Sequence, residues 1–223
     1  MEITREKTII GFIGLGVMGH SMAGHILDAG FRLHLYNRTP SKADDLVEKG
    51  AVLEASVADL AKKSDLIITI VGFPADVEEV FLGADGVLEN AKSGSIAIDM
   101  TTSEPALAAA LYDKGQEREI HVLDAPVSGG DLGAKNATLS IMVGGDHKIF
   151  EAAFPIFKIM GKNIVYQGKA GAGQHTKMAN QIAIAAGMVA VCESLAYAQR
   201  AGMDPQTVLA EPFYLQGAIQ QIV

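Results

Sequence analysis

The chain has 223 residues, a formal net charge of −8 at pH 7 and 49% apolar residues. That is enough apolar material for one large domain, or for one domain and a smaller piece, and it excludes wholesale disorder. The negative charge leaves no broad cationic face for nucleic-acid phosphates, and the absence of tryptophan with only 6% aromatics excludes a base-stacking surface.

Apolar β-rich runs alternate with helical patterns from the start. Thr8 to Ile13 reads as a buried strand and Val17 to Ala29 as a helix. Arg32 to Tyr36 is a strand, Ser41 to Lys49 a helix, Asp65 to Val71 a strand and Ala75 to Leu82 a helix. Ser95 to Asp99, His121 to Leu123, Leu139 to Val143 and Ile164 to Tyr166 read as further strands, with helices at Glu104 to Lys114 and Asp146 to Met160. This alternation predicts βαβ units and a mostly parallel sheet. From Ala172 to about Ala201 there is neither a strand signal nor a proline. A helix of about 30 residues is about 45 Å long, too long for the flank of one small domain. The predicted organisation is therefore a sheet domain over 1–170, and a long helix opening a helical region over 171–223. From Ala210 onward, Glu211-Pro212 breaks the helical pattern.

The single cysteine, Cys192, excludes an internal disulfide framework and reads as a small buried core residue of an apolar helix. The first seven residues lack the order of a secretory signal. The longest uncharged apolar run, Ile182 to Cys192, is too short to span a bilayer. These readings predict a cytoplasmic protein with neither membrane nor nucleic-acid partners.

Gly14-Leu15-Gly16-Val17-Met18-Gly19 lies directly between a predicted strand and a predicted helix. The first glycine suits a tight turn, the second lets backbone approach a pyrophosphate, and the third lets helix pack on strand. The helix N-terminus then offers N–H groups to phosphate. The end of the second strand distinguishes the two nicotinamide dinucleotides. NAD usually meets a carboxylate there, whereas this chain has Asn37-Arg38-Thr39, with Lys42 one turn on. Arg38 can pair with a 2′-phosphate or stand as a solvated loop arginine; the first reading favours NADP, with NAD as the second choice. Later strand ends place Val71-Gly72 and Thr102 beside the cofactor, although Thr102 serves equally as a cap for the helix starting near Glu104-Pro105.

Asp124-Ala125-Pro126-Val127-Ser128-Gly129-Gly130 follows another strand. Ser128 with the N–H groups of Gly129 and Gly130 suits a carboxylate; a plain Ser-Gly-Gly turn is the competing reading. Lys177 stands near the start of the long uncharged helix, with Asn180 and Gln181 at i+3 and i+4 on the same face. Burial and the helix terminus lower the pKa of such a lysine, which fits it to donate a proton to a developing alkoxide; a lysine snorkelling to solvent is the alternative. No histidine spacing suggests a metal site.

Three segments together resemble the β-hydroxyacid dehydrogenase family: Gly11 to Gly19, Asp124 to Gly130, and Gly171-Ala172-Gly173-Gln174-His175-Thr176-Lys177-Met178-Ala179-Asn180-Gln181. The family includes 3-hydroxyisobutyrate dehydrogenase, tartronate semialdehyde reductase and glyoxylate/succinic semialdehyde reductases, and the likeness runs from about Thr8 to Thr207. It implies a Rossmann-type domain, a long interdomain helix and an all-helical domain, here apparently incomplete. It also implies NAD(P)-dependent interconversion of a short hydroxy acid and its semialdehyde or ketone, and a homodimer or homotetramer formed through the helical part. In that family the position of Lys177 is the catalytic acid/base, those of Ser128, Gly129 and Gly130 hold the substrate carboxylate, and those of Asn180 and Gln181 assist. Asn37-Arg38-Thr39 looks like the NADP-preferring branch. The family continues with further helices that Ala210-Glu211-Pro212 does not resemble, so a break is expected near Ala210-Glu211. Two other functions compete: an imine reductase relative, which calls for a proton donor other than lysine, and a non-catalytic dinucleotide-binding module.

Overall fold

Residues 3–210 are described by a computed structural model. The first elements are β1 (Ile9–Ile13), α1 (Val17–Asp28), β2 (Arg32–Tyr36), a 3₁₀ turn (Pro40–Ala43), α2 (Asp44–Glu48), β3 (Val52–Leu53), α3 (Val57–Lys63) and β4 (Leu66–Thr69). They are followed by α4 (Pro74–Leu82), α5 (Val87–Asn90), β5 (Ile96–Asp99), α6 (Pro105–Glu117) and β6 (His121–Asp124). Then come β7 (Val127–Ser128), α7 (Gly130–Lys135), β8 (Leu139–Gly144), α8 (His147–Met160), β9 (Gly161–Gly168), α9 (Ala172–Arg200) and α10 (Pro205–Leu209).

The strands lie in the order β3-β2-β1-β4-β5-β6-β8-β7, with β9 beside β8. Pairings from β3 to β6 are parallel; β8 runs antiparallel to β6 and β7, and β9 parallel to β8. The result is a mostly parallel Rossmann-type sheet followed by a long helix. A parallel sheet must be covered on both faces, and the alternation of side chains along each strand supplies two cores. Ile10, Phe12, Leu66, Ile68, Ile96 and Ile98 face α1, α2, α7 and α8. Ile13, Ile67 and Ala97 face α3, α4, α5 and α6. The central strands β4 and β5 are buried throughout, whereas the two residues of β3, at one edge, are exposed.

Contacts divide the chain into two units, Met1–Lys177 and Met178–Val223. The first holds the whole sheet and the opening turns of α9. In the second, the described part of α9 displays exposed Ile182, Val189 and Tyr197, and Asp204 caps α10 by accepting from the N–H groups of Gln206 and Thr207. By length and composition α9 is long and apolar enough to cross a membrane, with a mean hydropathy of 1.5 over its most apolar window. The uninterrupted apolar run read from the sequence is shorter because Asn180, Gln181 and Glu193 interrupt it without lowering the average far.

Several local expectations are corrected. Ser41 to Lys49 is a 3₁₀ turn leading into a shorter α2, since Pro40 starts the turn one residue earlier. Cys192 is exposed rather than buried in a core. The cap of α6 is Glu104, with no side-chain cap bond, so Thr102 does not fill that role. The break expected near Ala210-Glu211 lies outside the described residues.

Candidate active site

The strand order reverses between β1 and β4, where open sheets of this kind leave a crevice at the carboxyl ends of their strands. The glycine fingerprint fills this place. Gly14 has φ +98°, and a side chain there would collide with the carbonyl of Ile70. Its N–H donates to the Tyr36 carbonyl at 3.0 Å, which fixes the loop against β2. A side chain on Gly19 would strike the Gly14 carbonyl, so the third glycine serves helix–loop packing. In front of Gly16 there is open space. Gly16 is the N-cap of α1 and offers no side-chain cap, which leaves the first N–H groups of that helix without partners inside it. The Leu15 side chain is buried, and its backbone N–H donates to Asn37 Oδ1 at 2.9 Å. Asn37 Nδ2 in turn donates to the Thr39 carbonyl at 2.8 Å, so Asn37 clasps the loop to the end of β2.

A cleft of about 630 Å³ opens along this loop. Gly14, Gly16, Val17, Met18 and Gly19 line one wall, Asn37, Arg38, Thr39 and Lys42 a second, and Val71, Gly72 and Asp76 a third. Leu15 and Thr102 are not among the lining residues. Thr102 is exposed, and its buried neighbour Thr101 makes the contacts: Thr101 Oγ1 accepts from the Val71 N–H at 3.0 Å. Arg38 forms an ion pair with Asp76 across the cleft, Nη1 to Oδ1, at 3.0 Å.

Beyond β5, the lysine and serine singled out in the sequence meet. Lys177 Nζ donates to Ser128 Oγ at 3.0 Å. Lys177 is buried, and desolvation holds its ammonium pKa below the usual 10.5. Gly129 (φ +128°) and Gly130 (φ +61°) both occupy the region that favours glycine, and together they turn the chain from β7 into α7. Gly130 faces open space, so the backbone beside Ser128 is accessible. Asn180, half-buried, and Gln181, exposed, lie further along α9 in the second unit.

A buried polar brace missing from the sequence reading holds the lysine-bearing turn of α9. Asp124, the last residue of β6, accepts from the N–H of Gly171 (2.8 Å) and of Gln174 (2.9 Å), and so caps α9 from inside the sheet domain. The Gln174 side chain has no exposure; its Nε2 donates to the Thr101 carbonyl at 2.7 Å, and its Oε1 accepts from the Ser103 N–H at 2.9 Å. Asp99, paired in register with Asp124 on the next strand, accepts from the Thr101 N–H at 3.0 Å. Burial pushes both carboxyls up, Asp99 to about 7. The signal available in the sequence was an aspartate closing each of two apolar strands, where two charges at the sheet's functional edge need partners.

The model for the NAD binding domain of 6-phosphogluconate dehydrogenase matches residues 9–168. The model for the NAD-binding part of NADP-dependent 3-hydroxyisobutyrate dehydrogenase matches residues 171–210. An uncharacterized oxidoreductase of Bacillus subtilis (strain 168), YkwC, is 58% identical over 203 residues, covering 91% of this chain and 70% of its own length. The 2-hydroxy-3-oxopropionate reductase of Escherichia coli (strain K12) is 42% identical over 199 residues, covering 89% of this chain and 68% of the relative. Among solved structures, Mycobacterium tuberculosis 3-hydroxyisobutyrate dehydrogenase with L-serine superposes with a TM-score of 0.84 at 30% identity, over 92% of this chain and 69% of the other. The chain belongs to the β-hydroxyacid dehydrogenase family of oxidoreductases, and its first unit is an NAD(P)-binding domain.

Proposed function

We propose that the protein is an NADP(H)-dependent oxidoreductase that interconverts a short β-hydroxy acid and its semialdehyde, with Lys177 as general acid and base. The observation that carries this reading is the partly buried hydrogen bond from Lys177 Nζ to Ser128 Oγ. The residues of the cleft fit a dinucleotide: the open space before Gly16 and the uncapped start of α1 suit a pyrophosphate, and Arg38 and Lys42 suit a 2′-phosphate. When bound, the nicotinamide supplies the hydride in reduction and accepts it in oxidation. Lys177, whose proton is loosened by burial, donates to the carbonyl oxygen as the alcohol forms and takes the proton back in the reverse direction. The Ser128 hydroxyl and the N–H groups of Gly129 and Gly130 receive the substrate carboxylate. The names of the E. coli and M. tuberculosis relatives support a short acid as substrate class.

The test is NADPH oxidation against glyoxylate, succinic semialdehyde, tartronate semialdehyde and methylmalonate semialdehyde. Lys177→Ala is expected to keep the NADPH dissociation constant and to lower turnover on the best of these by about 10² or more. Unchanged turnover disposes of the lysine mechanism, and nucleotide binding with no turnover on any acid favours a non-catalytic module. We further propose a cytoplasmic homodimer or homotetramer with α9 in its helical domain rather than in a bilayer. The exposed Ile182, Val189 and Tyr197 support association through that helix.

A further inference from the structure

The rim of the cleft opposite the fingerprint carries both signs of charge. Arg38 and Lys42 rise from the β2 side, whereas Asp76, Glu79 and Asp85 face the cleft from α4 and the loop after it. Only one of these contacts is an ion pair across the cleft, that between Arg38 Nη1 and Asp76 Oδ1 at 3.0 Å. Its two members are held very differently. The Arg38 side chain is 74% exposed, whereas that of Asp76 is 17% exposed. The second carboxylate oxygen of Asp76 accepts from the Phe73 N–H at 3.0 Å, which closes the first turn of α4. Asp76 is thus fixed by the helix it starts, and Arg38 comes to it.

We propose that Asp76 is a second determinant of nucleotide choice, acting against Arg38. The proposal rests on the NADP(H) reading above. In that reading Arg38 serves the 2′-phosphate, the only group that distinguishes NADP(H) from NAD(H). A guanidinium bonded to a carboxylate on one edge must share or exchange that edge to grip a phosphate. The phosphate dianion then lies within a few ångströms of a fixed negative charge in a partly buried place, where repulsion is weakly screened. A nucleotide with a bare 2′-hydroxyl meets no such repulsion. Asp76 therefore narrows the preference for NADP(H) that Arg38 and Lys42 create, and its neutralisation widens it.

The experiment compares the full-length wild type with Asp76→Asn and Asp76→Ser by titration with NADPH and NADH at about 50 mM salt, and again at several times that ionic strength. Asp76→Asn keeps an oxygen at the reach that accepts the Phe73 N–H, so the start of α4 survives, and Asp76→Ser removes the charge with a shorter side chain. The NADPH dissociation constant is expected to tighten by about fivefold or more in both variants, in line with removal of one close like charge. The NADH constant is expected to stay within about twofold, and the NADPH gain to shrink as salt rises. An unchanged or weakened NADPH constant in both variants, or an equal gain for NADH, overturns the role of Asp76. A wild type that prefers NADH strikes instead at the NADP(H) reading, and the two failures are separable because the variant-to-wild-type ratio is read independently of the wild-type preference.

Discussion

The Lys177–Ser128 pair drew on two local signals: the lysine stands near the start of a helix whose other formal charges, Glu193 and Arg200, come far along it, and two glycines follow Ser128. What the sequence hid at this scale were partners brought together by folding: Asp76 opposite Arg38, and Thr101 against the Val71 N–H. In an extended segment only alternate side chains face the sheet, so the choice between adjacent threonines depends on register, which no local pattern encodes. The burial of Lys177 has a thermodynamic consequence. Its folded pKa lies below the unfolded value near 10.5, so between the two the unfolded chain binds more protons and stability rises with pH. The cost of burying the charge is present at neutral pH and disappears as pH climbs toward 10.5. Lys177→Met is therefore expected to melt above the wild type at pH 7, with the difference closing by pH 10. A difference that is flat or grows with pH, in thermal melts at intervals of one pH unit, would remove burial as the source of the shift.

At the scale of elements, long periodic segments were readable and short ones were not. α3, α5 and α7 have four to seven residues, too few for a 3.6-residue period to declare itself. Ser56, which accepts from the Asp59 N–H at 3.0 Å, was nevertheless a readable start signal for α3. α7 was hidden by the glycine pair that begins it, which reads as a turn. The functional weight falls on α9, whose start is tied to β6 by Asp124 and to the loop after β5 by Gln174. Gln174→Leu strands a buried carbonyl and a buried N–H, at about 1–3 kcal/mol each. If the brace also aims Lys177, turnover on the best substrate is expected to fall about tenfold or more, while the NADPH constant moves less than twofold, since the lining of the cleft ends at Gly86. A lowered melting temperature with unaltered turnover would mean that Gln174 only holds the fold together.

For the molecule as a whole, the parallel order β3-β2-β1-β4-β5-β6 places the fingerprint and the cleft at the carboxyl ends of the inner strands, with Asp124 and Ser128 closing β6 and β7. This much followed from the alternation of elements and a single glycine motif. The antiparallel return of β8 did not, because direction is set by connection length and packing rather than by strand composition. The division into two units has a bearing on measurement, because a single unfolding free energy is undefined when units melt separately. The cleft lies wholly within the first unit, so nucleotide binding should stabilise that unit's transition by mass action. At one hundred times its dissociation constant NADPH is expected to add about 2.7 kcal/mol. For a unit of this size that is about 5–10 °C by calorimetry. Lys177→Ala should show the same displacement, because the lysine is absent from the cleft lining. A shift lost in that variant would mean that the nucleotide contacts Lys177 already in the binary complex and that binding and proton transfer cannot be separated.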